Sequence, residues 1–155
     1  MPDPIITFES RAEWYGVPAR EVLEIAQLRT IRPVPCAPRV VAGLAEIHGR
    51  IVTLIDLDRL LQGDASGAVG AGLGVVLAPP FDHLGILVRS GVDVATSPDD
   101  VTRSDSADEG GLLRGRLPVG ERLLNLLDLT SLVTRVEDAV REGFRPGPGV
   151  MDEEE

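Results

Sequence analysis

The stretch Arg50–Leu61, RIVTLIDLDRLL, decides the fold, because the chain writes it again as RLLNLLDLTSLV at Arg122–Val133. Each copy opens on an arginine, runs through apolar residues to an aspartate, and continues into helix formers. That pattern reads as a strand entering a helix, with Asp56 and Asp128 capping the first turn through their carboxylates. The copies lie 72 positions apart. Upstream, YGVPAREVLEI (Tyr15–Ile25) aligns with LGILVRSGVDV (Leu84–Val94), 69 positions apart. Two blocks in the same order at nearly the same spacing indicate a duplication, hence two small β units of about 70 residues each. Neither would bury much core alone, so the two should share an interface, and the groove along it is the natural place for a partner.

The remaining strands fall around these blocks. Ile5–Phe8, Trp14–Val17, Val40–Ala45, Gly74–Ala78, His83–Val88, Val92–Ala95 and Leu112–Leu117 are short apolar runs bounded by glycine, proline or acids. Arg20–Leu28 is ambiguous, alternating at Val22 and Glu24 yet rich in helix formers. The three prolines of IRPVPCAP (Ile31–Pro38) enforce extended backbone. Leu129, Leu132, Val133, Val136 and Val140 recur at helical spacing, which predicts a C-terminal helix to Phe144. The glycine-rich QGDASGAVGAGLG, followed by neither a lysine–serine pair nor a helix, reads as a linker.

With 155 residues, the chain can bury about 70% of its unfolded surface and needs no metal or disulfide staple. Its single cysteine fits a reducing compartment. MPDPIITFES lacks a basic segment followed by an apolar run, and nowhere do about 20 apolar residues run together, so neither a secretory signal nor membrane insertion is expected. These features suggest a cytoplasmic protein. A net charge of −10, arginines scattered rather than clustered, and 3% aromatics argue against nucleic acid as a partner. Much of the acidity sits in SPDD, SDSADE and the terminal MDEEE, which read as solvated segments, the last as a disordered tail over 145–155.

Catalytic constellations are weak. Cys36, His48 and Asp56 name the residue types of a thiol triad, but Cys36 lies in Val-Pro-Cys-Ala-Pro, without the helix terminus or neighbouring base that would activate a thiol. Cys36, His48 and His83 match no zinc-ligand spacing. Capping accounts for Asp56 and Asp128. The sequence thus supports no catalytic residue, metal or cofactor. A cysteine-dependent enzyme using Cys36 and His48 stands as the alternative from a different class.

The order of blocks resembles the CheW-like domain, found in chemotaxis coupling proteins and at the end of CheA-type histidine kinases. The motifs that carry the resemblance are Tyr15–Val17, the Val-x-Glu-Ile element Val22–Ile25, the crossover Ile31–Pro38 and the hairpin Gly43–Leu57. HLGILV and GLLRGRLPVGERLLNLLDL match in the second half. Together they span residues 5 to 136. The resemblance implies a mainly β fold of two SH3-like five-stranded antiparallel β-barrels side by side, with short helices and a C-terminal helix. As a single domain over 5–144, its barrels would occupy roughly 15–66 and 74–130, with 5–14 and 129–144 packed on them. It also implies a non-catalytic adaptor that joins a chemoreceptor cytoplasmic tip to a CheA-type histidine kinase, peripheral to membrane receptor arrays.

Within that resemblance the receptor-side positions are Val22, Glu24, Gly43 and His48. His48 and Glu46 depart from the family's usual Arg and Asn, Thr53 from a Pro, and Arg89 from an Asp. Arginine is always charged and forks two hydrogen bonds, whereas histidine is largely neutral near pH 7. The departure at position 48 therefore leaves a second expectation open, a regulator of an accessory chemosensory pathway that binds the kinase without normal receptor coupling.

Overall fold

The computed structural model describes residues 4–10, 12–62, 72–89, 91–96 and 111–143. Ten strands and two helices follow in chain order. They are β1 (Pro4–Ser10), β2 (Glu13–Pro18), β3 (Val22–Leu28), β4 (Val41–Ile47), β5 (Arg50–Asp56), α1 (Leu57–Gln62), β6 (Gly72–Leu77), β7 (Leu84–Val88), β8 (Val92–Thr96), β9 (Leu113–Val119), β10 (Arg122–Leu127) and α2 (Leu129–Gly143). The ambiguous Arg20–Leu28 resolves into a 3-10 turn at Ala19–Glu21 and then β3, whose exposure alternates residue by residue as a strand requires. Both aspartates cap as read. Asp56 Oδ1 accepts from the Arg59 N–H at 3.3 Å, and Asp128 Oδ1 from the Ser131 N–H at 3.2 Å.

The strands form two five-stranded sheets, ordered β8-β1-β2-β10-β9 and β3-β6-β7-β5-β4. Advancing each strand number in the second sheet by five, and counting on from β10 to β1, reproduces the first. This is the duplication seen in the sequence, with an exchange that the sequence reading lacked. Each sheet takes three strands from one half of the chain and the first two strands of the other. The sheets are therefore not the halves 15–66 and 74–130: one holds residues 4–18 and 92–127, the other 22–88.

Two further expectations need correction. The sheets are not wholly antiparallel, since β5 pairs parallel with β7 and β10 parallel with β2. Strands of different halves meet at these parallel joints and also, antiparallel, where β1 pairs with β8 and β3 with β6. Nor are the barrels closed, because among the described residues the outermost strands of neither sheet pair with each other. The acidic segments near residues 97–110, most of the glycine-rich linker and the tail 145–155 lie outside the described residues.

Each sheet curls over a small core of its own, Leu28, Ala45, Val52 and Leu54 in one, and Ile5, Leu124 and Leu126 in the other. The larger core lies between the sheets. Phe8 and Val17 from one side meet Val75 and Ile86 from the other, sealed by Leu57 of α1 and Leu132 of α2. All of these are essentially inaccessible to water, and each such side chain contributes about 2 kcal/mol by leaving it. That core, like the parallel joints, needs both halves. Fragments 1–62 and 72–155 made separately are each expected to lack a cooperative thermal transition and to regain one when mixed. Cooperative melting of either fragment alone, followed by circular dichroism, would contradict the exchange.

Candidate functional site

β4 and β5 are joined by a two-residue hairpin in which Ile47 faces Arg50. His48 and Gly49 occupy it with φ of 52° and 81°. Positive φ at both central positions belongs to the type I′ turn that a twisted hairpin prefers. The turn holds His48 out in solvent with its side chain 77% exposed, and places its Nδ1 2.9 Å from Glu24 Oε1. Glu24 lies on β3, the opposite edge strand of the same sheet. The curl of the sheet thus brings together two residues that sequence spacing keeps 24 positions apart, across the side that strand pairing leaves open.

The other two receptor-side candidates behave differently. Val22 is half-buried and packs on the core between the sheets. Gly43 is buried in β4 at φ 152°, where a Cβ would stand 2.5 Å from the Arg32 carbonyl oxygen. That close approach lets Arg32 and Leu44 exchange two backbone hydrogen bonds of 2.8 Å, pinning the crossover to β4. Gly43 therefore serves the backbone locally, and its effect on any partner would be indirect. Gly43→Ala is expected to cost about 3 kcal/mol from strain and the carbonyl clash, lowering the thermal midpoint by roughly 6–12 °C. Differential scanning calorimetry measures this directly.

Beside Glu24 on β3, Leu23 and Ile25 turn outward and remain 44% and 40% exposed. Ile51, next to the hairpin, is also exposed. The sequence reading gave these three no role of their own: Leu23 and Ile25 lay in the ambiguous Arg20–Leu28 stretch and Ile51 in a strand. The available signal was the alternation Val22-Leu23-Glu24-Ile25, which puts two apolar side chains on the face opposite Glu24.

A second cluster was also missed. Asp56 is fully buried, and Arg89 grips it with hydrogen bonds of 2.7 and 3.1 Å while also reaching Asp58 at 3.3 Å. Ser10 hydrogen-bonds Asp58 and ties β1 to the same cluster. Burial works against the charged Asp56 carboxylate, but the hydrogen bonds and charge of Arg89, helped by Arg59, outweigh it and hold the group below its ordinary range. The stability this pair supplies is full above the unfolded carboxylate pKa of about 3.9 and is lost as pH falls through the lower folded value. Arg89, the departure from the usual Asp, is therefore a structural counter-ion.

The alternative thiol site gains nothing from the geometry. Cys36 is exposed at φ 66° in a turn, and the Nδ1 of His48 faces Glu24. His83 is exposed in the turn before β7, where its carbonyl accepts from the Thr53 N–H. No cluster of three or more metal-ligating side chains occurs among the described residues, and none of their helices is long and apolar enough to cross a membrane.

The family model for the CheW-like domain matches residues 4–137. The chain belongs to the CheW-like domain family. A chemotaxis protein CheW of Treponema pallidum (strain Nichols) is 29% identical over 141 residues, covering 86% of this chain and 83% of that protein. Among solved structures, the scaffolding protein TtCheW from Thermoanaerobacter tengcongensis superposes with a TM-score of 0.70 at 18% identity, covering 83% of this chain and 86% of that one. The matched span takes in the blocks that carried the resemblance.

Arg89→Leu leaves a buried carboxylate without its main partner and is expected to destabilise the protein by about 3 kcal/mol at pH 7. The deficit should narrow toward pH 4, because the stranded carboxyl can then protonate at little cost. Urea melts across this pH range provide the check, and a deficit independent of pH would contradict the account.

Proposed function

We propose that this chain is a non-catalytic chemotaxis-type adaptor that couples a chemoreceptor cytoplasmic tip to a CheA-type histidine kinase, working in the cytoplasm beside membrane receptor arrays. Residues 5–144 act as its single CheW-like unit. The observation that carries the reading is the joining of Glu24 and His48 across the open side of one sheet, with Leu23 and Ile25 exposed on the opposite face of the same edge strand, in a chain of this family. An edge strand that exposes apolar side chains on one face and a polar hydrogen-bonding pair on the other suits a protein partner, with the apolar atoms supplying affinity and the polar groups orientation. TtCheW of Thermoanaerobacter tengcongensis, which shares the fold, is a scaffolding protein, in keeping with such a role.

His48 supports a narrower second reading, because a histidine makes fewer contacts than the usual arginine and is mostly neutral near pH 7. On that reading the protein serves an accessory chemosensory system and holds the kinase while coupling weakly to the receptor.

Immobilised protein is expected to retain both a CheA-type kinase and a receptor signalling-tip fragment at micromolar concentration. Ile25→Glu, which alters an outward side chain, should weaken receptor capture at least about tenfold while leaving kinase capture and thermal stability intact. Retention of the kinase alone selects the accessory reading. Retention of neither removes the adaptor function.

A further inference from the structure

The imidazole of His48 is directed by its neighbour. Nδ1 faces Glu24 Oε1 at 2.9 Å, and a carboxylate accepts hydrogen bonds, so Nδ1 carries the ring proton and donates it. In the neutral ring that leaves Nε2 as a bare acceptor. Taking up a second proton converts Nε2 into a charged donor, and histidine makes that change between roughly pH 5 and 8. The positive-φ turn fixes where this atom is presented, and the 77% exposure of the side chain leaves it open to a partner.

The charged groups nearby are few. Glu24 comes from β3, Glu46 precedes the turn on β4, and Arg50 follows it on β5. The Arg50 guanidinium is held by Asp82 through its carboxylate at 2.7 Å and its carbonyl at 2.8 Å. Arg29 and Arg32 line a cleft of about 610 Å³ further along the same sheet, beside Glu46.

We infer that His48 is a proton-dependent recognition residue, positioned by Glu24, which offers Nε2–H to a carboxylate on the receptor-side partner. The inference rests on the adaptor reading and deepens it by naming the chemistry of the contact and its regulation. Association tightens as pH falls through the imidazole range. An arginine in its place holds the tight state at every pH, and a glutamine holds the weak one.

Two measurements test this on the full chain. Nitrogen-15 NMR of histidine-labelled protein, with His83→Gln used for assignment, should show the neutral His48 ring as the Nδ1–H tautomer at pH 8. A predominant Nε2–H tautomer overturns the assignment without reference to any partner. Titration with a receptor signalling-tip fragment should then give binding about tenfold tighter at pH 5.5 than at pH 8, as expected for one gained charge-assisted hydrogen bond. His48→Arg should be tight and flat across that range, and His48→Gln weak and flat. If His48→Gln keeps the native pH slope, the inference fails while the adaptor reading stands. If neither the native protein nor His48→Arg binds the fragment at any pH, both fail.

Discussion

Two parallel strand pairs, β5 with β7 and β10 with β2, constrain everything else in this molecule. Each joins a strand of one half of the chain to a strand of the other, so neither sheet can be completed locally. The core between the sheets inherits the same dependence, drawing Phe8 and Val17 from one sheet and Val75 and Ile86 from the other. A duplicated sequence could have produced two independent barrels. Exchange of the first two strands of each half instead produces one cooperative body.

Much of this was legible, and the reasons are local. Arg50–Leu61 and Arg122–Val133 announced their strand–helix junctions through an apolar run ending on a capping aspartate, and both caps are present. The exchange was not legible in the same way, because a strand's periodicity says which face is buried and not which strand lies alongside. One clue did exist. Leu84–Val88 is buried on both faces, and such unbroken apolar runs mark parallel pairing. The barrels implied by the resemblance are open ones, since among the described residues the outermost strands of neither sheet pair with each other.

The candidate site was legible in its residue types and opaque in its assembly. Glu24 and His48 were singled out by resemblance, yet only the curl of the sheet shows that they touch. Gly43 and Val22, singled out on the same ground, turn out to support the backbone and the core. Arg89 looked like an unexplained departure until the fully buried Asp56 supplied the charge it balances. In each case the missing information was a long-range neighbour, the quantity that composition and spacing do not encode.

The proposal is of a two-sheet body that carries its recognition groups on one edge strand and one hairpin. Backbone hydrogen exchange with and without a saturating receptor signalling-tip fragment tests that claim most directly. The account predicts that slowed exchange concentrates in β3, over Val22–Leu28, and in the hairpin around His48, with the core strands β5 and β7 unchanged. Protection confined to the opposite sheet, or none at all under saturating conditions, would contradict it.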